Sequence, residues 1–321
     1  QYDAASWNLL LAELPKLSVP DRVNLLADTW ALVQAERAPL SQFLQLVDKL
    51  PTKTELAERE QIMTAFEVIS RLLKDEPQRP QFQQYARAIL RPSFDELGWE
   101  PRPNESTRAA ALRVSLLTAL SEFDDGDILA GARLRFEKFL ADPVSLAPDL
   151  RAPVLRIVGR HAYEATWNKL HELGQKTNSI EEKQNYYEAL SAALDPKLIE
   201  RSLRISLTDE LPTSRAVYLV PMVAGATERP DLAWTFAKAN MKTLRTKSDA
   251  LGALKYAPSL FTFFSDPARI AELQAYAKAD LPPAAAKAVA KATDEITFRA
   301  EFKKRLIEQA ESWGPALPSR E

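Results

Sequence analysis

Ser179-Ile180-Glu181-Glu182-Lys183-Gln184-Asn185-Tyr186-Tyr187-Glu188-Ala189-Leu190-Ser191-Ala192-Ala193-Leu194-Asp195-Pro196-Lys197-Leu198 contains two helix starts and the helix end between them. Ser179 followed three residues later by Glu182 is a capping box, in which the hydroxyl accepts a backbone N–H that the first turn leaves unpaired. Tyr186, Leu190 and Leu194 then recur at helical spacing and put one apolar stripe on one face. Asp195-Pro196 closes the segment and opens the next: the carboxylate caps, and proline in the first turn gives up an N–H that had no partner. Leu198, Leu203 and Ile205 form the second stripe. The stretch reads as helix, tight turn, helix.

The same grammar extends in both directions. Ser18 with Asp21 is the acidic form of the capping box, with Pro20 in the first turn, ahead of Val23, Leu25, Leu26 and Trp30. Asp266-Pro267 repeats the acid–proline start before Ile270, Leu273 and Tyr276. The longest uninterrupted stretch, Thr54 to Lys74, carries Leu56, Ile62, Phe66, Ile69 and Leu73 on a helical face. No strand-type alternation interrupts these stripes. The starts predict about 15 to 17 helices joined by short turns. From Leu150 onward they come in pairs that recur every ~30 to 37 residues. Glycine is rare, with eight residues and none before Gly98, while the 22 prolines supply helix punctuation. The fold class expected is all-α, a HEAT- or armadillo-like superhelical repeat of antiparallel helix pairs, with a compact bundle or several small ones as the alternative this periodicity leaves open. Residues 1–321 are read as one helical-repeat domain, and the proline-rich segment near 99–107 marks a candidate subdomain join.

Composition narrows the function. With 42 basic and 44 acidic side chains and a net charge of −2 in 321 residues, no global field draws the chain to nucleic acid or to an anionic membrane surface. No apolar run reaches the roughly 20 residues that span a bilayer, and neither cytoplasm nor periplasm is favoured. There is no cysteine, which removes disulfides, zinc–thiolate sites and cysteine nucleophiles. His161 and His171 are the only histidines. Ten residues on a helix turn them roughly 280° apart, so one helix cannot aim both at one ion. His171-Glu172-Leu173-Gly174-Gln175 begins like a zinc-protease helix, but Gln175 stands where a second imidazole must be, and an amide is a poor zinc ligand. It reads as an exposed His-Glu pair. Gly126 to Arg133 imitates the spacing of a phosphate loop without its lysine, its hydroxyl residue or a preceding strand, and reads as a helix start. Carboxylate pairs such as Asp124-Asp125 and Glu181-Glu182 read as caps or solvated faces. The tryptophans at 7, 30, 167, 234 and 313 lie in apolar stripes and read as core.

One cluster could bind something. Arg151, Arg156 and Arg160 stand beside His161 and Tyr163, and Arg156 and Arg160, four apart, share a helical face. Such a face suits a carboxylate, which guanidinium grips bidentately. A solvated face salt-bridged to its neighbours is the plainer reading of the same residues. No catalytic constellation is found, so the residues alone describe a helical scaffold or binding module.

Several stretches together resemble the C-terminal helical domain of the aminopeptidase N-like zinc metallopeptidases, the group that includes the endoplasmic-reticulum aminopeptidases. They are Tyr2-Asp3-Ala4-Ala5-Ser6-Trp7, the run Leu14 to Arg22 with Leu25-Leu26-Ala27-Asp28 behind it, Glu182-Lys183 with Ala189 to Pro196, Arg229 to Asn240, and the terminal pattern from Arg299 through Arg305 to Trp313. The resemblance implies an excised domain whose Gln1-Tyr2-Asp3 ends a linking segment from a β-sandwich domain. In the family the zinc helix and its glutamate ligand belong to a preceding thermolysin-like domain, so it further implies that this chain holds no zinc and is inactive alone. The parent, carrying zinc in that catalytic domain, would release N-terminal residues from peptides. The helical domain would cap the active-site cleft, limit access and help bind the peptide, with Arg151, Arg156 and Arg160 as candidate substrate-binding residues. Its partners would be the upstream catalytic and β-sandwich domains and peptide substrates, with neither nucleic acid nor membrane. A free-standing helical-repeat scaffold for partner proteins is the alternative.

Overall fold

The computed structural model describes residues 2–51, 55–248 and 250–310. Among them are sixteen α-helices, three short 3-10 turns and no strand. The all-α, repeat-like architecture expected from the capping grammar is present. The described residues divide into two compact units, those of 2–128 with 302–310, and those of 129–301.

The first unit holds α1 (Ala4–Glu13), α2 (Val19–Gln34), α3 (Leu40–Lys49), α4 (Leu56–Leu72), α5 (Arg79–Leu97) and α6 (Thr107–Glu122), the start of α7 (Gly126–Ala141) and the end of α16 (Ala286–Glu308). The start of α2 follows the sequence: the Ser18 hydroxyl accepts from the Asp21 N–H at 3.4 Å and donates to the Asp21 carboxylate at 2.6 Å. Helix α4 buries Ile62, Phe66 and Ile69, and Leu73 just past its end is buried too, as the stripe requires, while Thr54 lies outside the described residues. A buried ion pair joins α2 to α4, with Arg22 Nε 2.5 Å from Glu58, whose other oxygen accepts the Glu55 N–H at 2.7 Å. Phe66 packs against Phe82, Tyr85 and Phe123, and Trp30 against Phe43 and Phe302. Arg113 of α6 is buried and holds the segment before it through Glu105 and the Gly98 carbonyl.

The second unit holds the rest of α7, α8 (Pro148–Arg160), α9 (Glu164–Lys176), α10 (Ile180–Ser191), α11 (Pro196–Ile205), α12 (Thr213–Ala226), α13 (Pro230–Thr246), α14 (Ala250–Phe261), α15 (Ala268–Asp280) and most of α16. Its packing follows chain order: α10 lies against α8, α9, α11 and α12, α11 against α12 and α13, and α13 against α12 and α14. A single helix cannot bury its stripe alone, and stacking on first and second neighbours gives it cover. Trp234 sits at the centre, edge-on to Phe261 and Tyr276 with ring centroids 4.6 and 5.0 Å away, its indole N–H donating to Glu272 at 2.8 Å. Trp7 and Trp167 are also buried and Trp30 is half-buried; Trp313 lies outside the described residues.

The opening stretch folds as read. Ser179 accepts from the Glu182 N–H at 3.3 Å, and Asp195 accepts from Lys197 and Leu198 at 2.8 and 3.3 Å. An Asp195→Ala variant is expected to lose about 1 kcal/mol of stability, read as a lower urea midpoint with an unchanged slope. The close packing of this unit shows at Gly159, where an added Cβ would stand 2.2 Å from the Ala189 carbonyl oxygen, so α8 and α10 touch backbone to backbone. At the start of α7, Asp125 caps the Ile128 N–H at 3.2 Å, which makes the phosphate-loop look-alike an ordinary helix start.

Candidate functional site

A groove of about 390 Å³ runs between α10 and α12 in the second unit. Its spacing comes from the helix pairs: α10 and α12 are second neighbours, and the 206–212 turn after α11 enters between them. Leu219 and Tyr187 line it from buried positions, and Met222 and Leu211 are half-buried. Ile180 and Tyr218, at the sides, are 83% and 67% exposed, unusual for large apolar groups. Among the described residues no carboxylate pairs with the Lys183 ammonium or the Arg215 guanidinium, the two cations of the lining. Its one acid, Glu188, is held by Gln184 at 2.7 Å. The chemistry offered is apolar contact plus attraction for an anion.

Tyr187 carries the groove into a polar network. Its hydroxyl donates to Glu210 at 2.9 Å, and the same carboxylate lies 2.6 Å from His171 Nε2 and accepts from the Gln175 amide at 3.2 Å. Burial, then the adjacent carboxylate, push the Tyr187 hydroxyl well above its ordinary value. Burial pulls Glu210 upward too, but the hydrogen bonds from His171 and Tyr187, the charge interaction with His171 and the Gln175 hydrogen bond outweigh it, and its carboxyl stays below the usual range.

The arginines proposed from sequence go to different partners. Arg151, half-buried, lies 3.5 Å from Glu182 of α10 and donates to the Pro143 carbonyl at 3.3 Å. Arg156 is half-buried on the same helix. Arg160 is 4% exposed and donates to the Ala226 carbonyl at 2.7 Å and to Glu228 at 3.0 Å, an acid itself 7% exposed. Its guanidinium faces the interior. The His-Glu pair read as exposed also differs: His171 turns to Glu210, while Glu172 turns to Lys169 and Lys176. His161 ends α8 and His171 lies within α9, and among the described residues no three His, Asp or Glu side chains converge as metal ligands. No helix of the described residues is long and apolar enough to cross a membrane.

Sequence reasoning missed Lys183, Arg215 and Tyr218. Tyr218 had a legible signal, a large apolar residue off the buried stripe of Ala216, Leu219, Val220 and Val223. The two cations had none, because lacking a partner is a property of folded neighbours.

The chain's similarities agree with its architecture. The family described as ERAP1-like C-terminal domain matches residues 1–297. Among curated proteins, the chain is 26% identical to Aminopeptidase 2 of Candida albicans over 69% of the chain and 24% of that protein. It is 24% identical to Aminopeptidase M1-D of Oryza sativa subsp. japonica over 90% of the chain and 34% of that protein. With the Glutamyl aminopeptidase of Bos taurus it shares 25% over 76% of the chain and 26% of that protein. The chain thus spans about a quarter to a third of the length of the curated relatives it matches.

Proposed function

This chain belongs to the ERAP1-like C-terminal domain family, and from that premise we propose that it is the non-catalytic helical domain of a zinc aminopeptidase. In this reading it caps the cleft of a catalytic domain on the same polypeptide, limits which peptides enter and helps to bind them. The family match over residues 1–297 carries the proposal. Zinc would supply its chemistry in the catalytic domain. The described residues of this chain do not fit the ion, since no ligand triad converges among them.

The α10–α12 groove supports the binding role. An apolar peptide side chain would gain roughly 25 cal/mol for each Å² it buries there. A carboxylate set against Lys183 or Arg215 would form a charge-assisted hydrogen bond, and Glu188 would oppose a second acid nearby. Arg151 of α8 is held at 3.5 Å by Glu182 of α10. Arg160 has its hydrogen bonds committed inside the fold.

The test is peptidase activity and zinc content of the chain alone, then with the purified upstream fragment added. The chain alone is expected to be zinc-free and inactive, and to change the fragment's rate or peptide-length preference on addition. A Lys183→Glu, Arg215→Glu double variant is expected to weaken that change at least tenfold for acidic peptides, a difference of about 1.4 kcal/mol, without altering the fragment's own rate. Stoichiometric zinc or hydrolysis by the chain alone would overturn the non-catalytic reading.

A further inference from the structure

Glu210 stands where three elements meet, and two of them wall the groove. His171 and Gln175 come from α9, Tyr187 from α10, and Glu210 from the 206–212 turn. Within the turn the Thr208 hydroxyl lies 3.4 Å from Glu210 Oε1 and accepts the Glu210 N–H at 3.3 Å. Tyr187, and the Leu211 and Pro212 that follow Glu210, all line the groove. The seat of this wall therefore depends on one carboxylate, and its shortest hydrogen bond is to an imidazole.

We propose that the His171–Glu210 pair is a proton-operated latch on the groove. With the imidazole charged and the carboxylate ionised, the turn is drawn onto α9 and α10 and the groove keeps its present shape. Loss of either charge releases the turn.

Histidine is the side chain whose charge ordinarily changes between about pH 5 and 8, and a hydrogen bond between charged partners is roughly twice as strong as a neutral one. The two ionisations work in opposite senses. Glu210 is held below its ordinary value, so its share of the stability is present above the usual carboxylate range and is lost as pH falls through the folded value. An imidazole in general is charged at low pH and neutral at high pH, the opposite dependence.

The surrounding charges leave the pair to each other. The Trp167 ring lies 4.9 Å from the imidazole and carries the Arg201 guanidinium of α11 at 4.0 Å. Tyr187 meets the imidazole edge-on at 6.0 Å. Asp209 is drawn to Lys247 at 3.7 Å, which also donates to the Thr208 carbonyl. Glu172 is engaged by Lys169 and Lys176, and Arg160 of α8 by Glu228.

The consequence for peptide entry rests on the function proposed above. The latch itself concerns only the shape of this chain, and its test needs no peptide. In the full chain the two histidines give two sets of ring signals by NMR, assigned with His171→Gln. Between about pH 5 and 8, the backbone amides of Leu211, Ser214 and Arg215 are expected to shift with the same midpoint as the His171 ring. That shift is expected to disappear in His171→Gln and in Glu210→Gln, which keeps an oxygen for Tyr187, while the His161 signals titrate as before. Groove amides that stay still while His171 titrates, or that keep shifting in either variant, would overturn the latch. Neither result bears on whether the groove takes peptides, which the mixing experiment reads separately.

Discussion

An Arg160→Met variant is expected to unfold with about 3–5 kcal/mol less stability than the parent chain, the cost of stranding one member of a buried ion pair. The guanidinium is 4% exposed and satisfies two groups at once, the Ala226 carbonyl at 2.7 Å and Glu228 at 3.0 Å. Methionine fills much of the volume and returns neither hydrogen bond. Glu228 would be left as a carboxylate 7% exposed to solvent, on a residue with φ of 59° that closes the turn between α12 and α13. Adding Glu228→Gln should recover part of the loss by removing the buried charge that Arg160 balanced. Urea unfolding of the single and double variants checks both statements, and a loss below about 1 kcal/mol would mean the pair is screened like a surface contact. The result also governs how peptide-binding data are read. A binding defect at Arg160 would report the fold, so the arginine to test for direct contact is Arg151.

A Gly159→Ala variant is expected to lose about 2–3 kcal/mol, the upper part of the range for overpacking. The new Cβ would lie 2.2 Å from the Ala189 carbonyl oxygen and 2.6 Å from its carbon. Both belong to backbone, so no side chain can rotate aside and α8 and α10 must separate. Alanine's higher helix propensity returns about 1 kcal/mol, and the expected figure is net of it. Thermal unfolding checks it. Gly98→Ala is a useful contrast: its Cβ would meet nothing within 4 Å, and its cost comes from a φ of 69°.

The helix starts were legible because a cap is a local contract between residues two or three apart. Ser18 with Asp21, Ser179 with Glu182 and Asp195 with Leu198 all make the side-chain cap to the backbone N–H that their spacing promised, while the Ser179 N–H goes to the Thr177 hydroxyl and not to Glu182. At Asp266-Pro267 the helix begins at Ala268, one residue later than read, and the carboxylate reaches it there at 3.0 Å. The site was much less legible. His171 and Glu210 are 39 residues apart, and nothing in either neighbourhood names the other. Arg156 and Arg160 share a side of α8 by spacing, but spacing fixes direction and not depth, and the last turn of the helix is covered at Ala226 and Glu228. Gly159 gave no warning, because the backbone that requires it lies 30 residues downstream.

The bond from Arg160 to Glu228 has a consequence for how the second unit comes apart. In a stack whose helices pack on first and second neighbours, stability is close to a sum of adjacent terms, and the array can fray one pair at a time. Arg160 reaches from the end of α8 to the turn after α12, past that neighbourhood. It is expected to tie two storeys of the stack together, so that amide exchange at the end of α8 and in the turn after α12 reports one shared opening free energy.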